Sequence, residues 1–280
     1  MTRRVRTRLR GRRAWLAAAL AAVALLLAGS VAFRVLTREN ATPASLAAAL
    51  ARFRALPAVD RTLPPALRGR APEPGVYRYA TSGFEVSHVL GARRHRYPRL
   101  TTMTVSATPA GCLRIRWDVL ATRWDGLLAC RSSGTGAGGG WRLVSQSEGH
   151  EFAGHVDRRT YRCTVGSAYL PADPADLRPG AGWSSRCAIP GTTTSDSGVV
   201  LGPRTLALGG RPARTLLLRT TTAVAGDTVG AGTTFTWLLP RSGLVVRRAF
   251  SNASATDTVV GSVRYEERAT LALAGTGPRR

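Results

Sequence analysis

The chain of 280 residues contains no lysine: all 40 of its basic residues are arginine, against only 16 Asp and Glu. Without lysine there is no Ser-x-x-Lys pair, and no GxSxG elbow stands in for it, so serine acyl transfer has no support. There is no P-loop and no GxGxxG in a strand-to-helix setting; the glycine run 134–140 lies between strands and reads as a flexible loop. Carboxylates are few and scattered. Histidines number four (His88, His95, His150, His155), and the pair in His150-Glu151-Phe152-Ala153-Gly154-His155 is spaced i, i+5, whereas one helical face needs i, i+4. No Cys-x-x-Cys occurs, which argues against a zinc ribbon or a thioredoxin-type motif. No catalytic residue, metal ligand or cofactor is therefore expected, and the chain reads as a non-enzyme.

What is present begins with the N-terminus. Arg3, Arg4, Arg6, Arg8, Arg10, Arg12 and Arg13 precede an uncharged apolar run at 14–33. Twenty residues at about 1.5 Å each cover the ~30 Å hydrocarbon core. Arginines on the N-terminal side place that end in the cytoplasm and the rest outside. The run is longer than the apolar part of a signal peptide, so it is read as an uncleaved signal-anchor; the alternative is secretion after cleavage near Ala32. The first cysteine is Cys112, which excludes a lipid-modified cysteine directly after the run.

The organisation that follows is a cytoplasmic tail at 1–13, the membrane segment at 14–33, a short helix and Pro-rich linker at 34–74, an exported antiparallel β-domain at 75–275, and a disordered tail at 276–280. The helix is expected at 45–56, capped by Thr42 with Pro43 in its first turn. Leu46, Leu50, Phe53 and Leu56 recur at helical spacing, to rest on the membrane or on the domain. From Gly75 onward, apolar and polar residues alternate between Gly, Pro, Asp and Ser breaks. The fold class is mainly β: a large curved antiparallel meander, as a half-barrel or open barrel.

Four cysteines in an exported domain imply two disulfides. Cys112–Cys130 and Cys163–Cys187 are favoured, since each pair flanks a plausible hairpin. In the first hairpin, Leu113, Ile115, Trp117 and Val119 share one face, and reversal near Ala121 brings Arg116 toward Asp125. A second hairpin turns at Pro240-Arg241-Ser242-Gly243. Glu266 and Glu267 are expected to pair with Arg264 and Arg268 on the last strand. Arg93, Arg94, His95 and Arg96 form a basic cluster that suits a phosphate or carboxylate.

The second hairpin, WLLPRSGLVVRR at 237–248, resembles the W-x-x-x-x-T/S-G-L hairpin of LolA-like proteins, which include lipoprotein carriers, RseB-type envelope sensors and LppX-like lipid binders. The resemblance implies a curved half-barrel whose concave face is plugged by helices, with an apolar ligand between them. The segments GVYRYATSG, RRHRYP, RWDVLATRWD and HEFAGHVDRRTYRC are also similar to a group of uncharacterised actinobacterial exported proteins. One departure stands out, for no plug helices are found within 75–275. Loops replace them, the 45–56 helix serves, or the sheet closes into a lipocalin-like barrel.

The formal net charge is +24, and +17 once the seven tail arginines are set aside. Such a domain should attract anionic lipid head groups or wall polymers. Two functions follow. The first is binding of a membrane lipid or other apolar envelope molecule, which needs a cavity of about 300 Å³ or more. The second is recognition of anionic polymers or a partner protein through the basic surface. Nucleic acid is not an expected partner outside the membrane.

Overall fold

The computed structural model describes residues 42–88, 92–131, 140–152, 155–171, 173–258, 261–275 and 277–280. The arginine tail, the apolar run at 14–33, the cleavage position near Ala32 and most of the glycine run lie outside them. Among the described residues, no helix is long and apolar enough to cross a membrane.

The alternating segments form strands. These are β1 (Gly75–His88), β2 (Ala92–Arg96), β3 (Leu100–Ala107), β4 (Cys112–Asp118) and β5 (Trp124–Arg131). They continue with β6 (Trp141–Phe152), β7 (His155–Cys163), β8 (Ala168–Leu170) and β9 (Gly182–Ile189). The last are β10 (Thr192–Leu208), β11 (Arg211–Gly226), β12 (Thr228–Leu238), β13 (Val245–Thr258) and β14 (Gly261–Leu273). Sequence neighbours pair antiparallel nearly throughout, because short turns permit nothing else. The β10–β11 turn is Gly209-Gly210, both with positive φ (58° and 78°), the geometry a two-residue hairpin needs.

The sheet does not stay open, as the LolA-like resemblance implies. β14 pairs with β1 over ten positions, from Tyr79 opposite Leu273 to His88 opposite Arg264. The result is a closed antiparallel barrel of twelve strands, with β2 and β8 as short additions. Closure removes both sheet edges, which explains why plug helices are not needed to cover an open concave face. β2 is the first half of the strand that continues as β3. Both pair with β1 in one register, Phe84 opposite Arg96 and Tyr79 opposite Thr101.

One end of the barrel is dry. Tyr79, Met103, Val105, Ile115, Trp117, Leu218, Leu238 and Leu271 fill it. The Pro-rich stretch folds onto this end through two 3-10 turns, Ala58–Arg61 and Pro65–Leu67, and buries Leu63, Leu67 and Ala71 in the same core. The helix α1 spans Leu46–Arg54. Its cap is Ser45, whose Oγ accepts from the Ala48 amide at 3.0 Å, rather than Thr42. Pro43 instead lies in a β-bridge opposite Leu120. α1 rests on the outside of the wall, where Ala49 and Phe53 cover Val76, with Leu46, Leu50 and Leu56 around them. Arg52 reaches Asp118 at 2.6 Å and fixes the helix to β4.

Both disulfides form as the cysteine pattern suggests: Cys112–Cys130 across the β4–β5 hairpin and Cys163–Cys187 between β7 and β9. The second does not close a hairpin. It joins two strands that share only two pairs, Arg162 with Ala188 and Cys163 with Cys187.

Candidate ligand-binding lumen

Above the dry core the barrel lumen holds a partly open cavity of about 410 Å³. Its polarity changes along the barrel axis. On β11 the inward positions run Leu216, Leu218, Thr220, Thr222, and on β12 they run Leu238, Thr236, Thr234, in matching layers. On β10 Val200 belongs to the core, while Asp196 and Thr194 line the cavity. Period-two alternation makes each strand contribute one residue per layer, so the change from Leu to Thr along β11 and β12, and from Val200 to Asp196 on β10, becomes a change from dry to wet. Gly198 matters here: a Cβ there would lie 2.1 Å from the Trp183 indole, which packs flat against the backbone of β10 and faces the cavity.

A charged network fills one side of the wet half. Arg123, only 8 % exposed at its side chain, donates to Asp125 (2.5 Å), Glu267 (3.0 Å) and the Tyr265 hydroxyl (3.4 Å). Arg248 approaches Asp125 at 3.7 Å. Tyr97 donates to Glu267 and lies 3.3 Å from Glu85. Tyr265 donates to Glu85 at 3.0 Å, and His150 and His95 stand 3.5 and 3.4 Å from the same carboxylate. Burial alone would raise the Glu85 pKa. His150, Arg123 and the Tyr265 hydroxyl outweigh it and hold the carboxyl down at about 2. Asp125 is likewise lowered: burial opposes ionisation, and Arg123 and Arg248 overcome it. Burial and the neighbouring carboxylates push the Tyr97 and Tyr265 phenols up, so both stay neutral donors.

The adjoining part of the wall, where Glu148 on β6 stands opposite Asp125 on β5 in the ladder, is held differently. Asp196 accepts from Gln146 (2.9 Å), Ser185 (3.1 Å) and Thr222 (2.6 Å). Glu148 accepts from the Tyr161 hydroxyl at 3.0 Å, and Arg159 pairs with Asp157 at 2.6 Å.

The residues singled out from sequence fall as follows. Arg93, Arg94, His95 and Arg96 lie on β2, where alternation divides them. Arg94 stacks on the Phe84 ring at 3.7 Å and is exposed with Arg96, whereas His95 turns inward to Glu85. The strand thus sends the four side chains to two faces and does not gather them around one point. Arg116 does not meet Asp125, because Asp125 lies opposite Trp117 on the inner face; Arg116 pairs with Asp118 (2.8 Å) and covers Trp124 (4.0 Å) outside. Glu267 does not pair along its own strand but points inward to Arg123. His150 and Asp157 both line the cavity, and no group of three or more metal-ligating side chains occurs among the described residues.

Nothing in the sequence marks Arg123 or Asp196 as inward-facing, and Glu267 reads as a member of a surface ion pair, although a signal for its inward position is available. Ala269, Leu271 and Leu273 are the buried phase of β14, and extending that phase back places Glu267 inside.

No protein-family profile matches the chain, and no curated protein matches it. Among solved structures it is similar to the hypothetical lipoprotein YmcC of Escherichia coli. The identity is 10 %, the match covers 68 % of this chain and 85 % of that one, and the TM-score is 0.31. It is also similar to a putative lipoprotein of Parabacteroides distasonis, at 9 % identity over 74 % of this chain and 97 % of that one, with a TM-score of 0.29. At these scores neither likeness transfers a role to this chain.

Proposed function

We propose that this protein is a non-enzymatic, membrane-anchored binding protein of the cell envelope whose barrel lumen holds one small amphiphilic molecule. The observation that carries the reading is the cavity itself. Its volume of about 410 Å³ falls in the range of small-molecule sites. Its dry end offers Trp117, Leu127, Leu143, Leu218 and Leu238 to an apolar chain, and its wet end offers hydroxyls and carboxylates to a polar head. A wholly apolar lipid suits it less well, because a hydrocarbon in the wet half would strip Thr and Asp groups of water without replacing their hydrogen bonds. Two disulfides support an oxidising compartment, and the 14–33 run supports the anchor.

The test is native mass spectrometry of the full chain extracted from its own membrane. A discrete adduct of a few hundred daltons is expected. Thr220→Trp, which places an indole in the middle layer, should release it without lowering the melting temperature by more than a few degrees. A bare mass before and after incubation with membrane extract would overturn the reading.

A further inference from the structure

We infer that the ligand's polar head is cationic, an amine or guanidinium seated between Asp196 and Glu148; this inference rests on the lumen-binding reading above. The argument starts from a charge distribution that runs against the whole molecule. The chain carries 40 arginines and 16 carboxylates. Yet five carboxylates line the cavity (Asp125, Glu148, Asp157, Asp196, Glu267) and only three arginines do (Arg123, Arg159, Arg248). With histidine neutral, the lumen of a protein of charge +24 is net negative by two.

Those two charges have an address. Arg123 and Arg248 are taken up by Asp125 and Glu267, and Arg159 by Asp157. Asp196 and Glu148 remain, and among the described residues neither has an ion-pair partner. Asp196 is held by three neutral donors, Gln146, Ser185 and Thr222, and Glu148 by the Tyr161 hydroxyl. Gln146 and Glu148 are inward neighbours on β6, and Gln146 bridges to Asp196 on β10, so both carboxylates stand on one side of the cavity. Hydrogen bonds fix where these carboxylates point but do not neutralise them. Charge is cheapest to place in such a site when the ligand brings the opposite sign. An anionic head is excluded by the same reasoning: every lumen arginine already faces a carboxylate. On the dry side, Trp183 and Leu218 line the same cavity and suit the aliphatic part.

The test compares octylamine, octanoate and octanol, which share one chain and differ in head charge. Titrations by calorimetry use the full chain in phosphatidylcholine nanodiscs, with empty nanodiscs as baseline. Octylamine should bind at least tenfold tighter than octanoate and octanol. Asp196→Asn and Glu148→Gln should each bring octylamine down toward the octanol value, with melting temperatures within a few degrees of the wild type to show that the variant barrels are intact. Equal binding of all three, or a preference for octanoate, overturns the cationic head and leaves the lumen reading standing. Binding of none, together with a bare mass in the native spectrum, overturns both.

Discussion

At the residue scale, stability and pH response meet at Glu85. It is buried among His150, His95, Tyr97 and Tyr265, with Arg123 behind them. Its carboxyl is lowered from the ordinary 4.5 to about 2 in the folded chain. A depressed folded pKa means that the unfolded chain binds the proton first as pH falls. The stabilisation is therefore complete above about 4.5 and is lost as pH falls from there toward 2. A shift of this size corresponds to roughly 3 kcal/mol. Urea unfolding at pH 6 and at pH 3, part-way through that window, should show the wild type losing about 2 kcal/mol more than Glu85→Gln. Parallel pH slopes for the two proteins would show that Glu85 does not carry the effect. Arg123 is the other keystone of the network: Arg123→Met leaves the buried Glu267 carboxylate without its cation, and half-buried Asp125 with Arg248 alone, at a cost of about 3–5 kcal/mol in the same unfolding measurement.

At the element scale, the wall has one weak join. β10 and β11 share sixteen residue pairs, whereas β7 and β9 share two, and the Cys163–Cys187 bond lies on that join. Cys163→Ser/Cys187→Ser should cost about 3 kcal/mol. More tellingly, amide hydrogen exchange should rise first in β7 and β9. Cys112→Ser/Cys130→Ser removes a bond from a ladder of seven pairs and should leave exchange in β4 and β5 nearly unchanged. Uniform exchange increases in both variants would contradict a local join. The same elements show what sequence can reveal. Cys112 and Cys130 were legible because alternation fixes register within a hairpin. Gly83, Gly202 and Pro203 are local break signals that the sheet overrides. β1 runs through Gly83, and β10 absorbs the extra residue as a bulge between Val200 and Gly202. β2 was illegible because Ala-Arg-Arg-His-Arg has no apolar phase of its own; pairing with β1 makes it a strand.

At the scale of the whole molecule, closure was the least visible feature, because the β1–β14 ladder joins positions roughly 180 residues apart and no local pattern announces it. The lumen chemistry was hidden for a related reason: Asp196, Gln146 and Glu267 become one surface only after the sheet curls. Closure also changes the standing of residues 42–74, which read as a helix and spacer. A barrel needs its apolar end stoppered, and here Leu63, Leu67 and Ala71 enter the core from that segment while Phe53 covers Val76 outside. The C-terminal residues add to it, since Arg279 bridges Val76 and Arg280 meets Glu73 at 3.1 Å. Removing buried Leu or Phe side chains costs about 2–5 kcal/mol each. Losing Leu63, Leu67 and Phe53 together is therefore comparable to the ~5–15 kcal/mol that holds a typical domain. A chain beginning at Gly75 should lack a cooperative thermal transition and bind an apolar dye, whereas one beginning at Thr42 should melt cooperatively. If the shorter chain melts at the same temperature as the longer, the segment is only a spacer and the dry end is stable unstoppered.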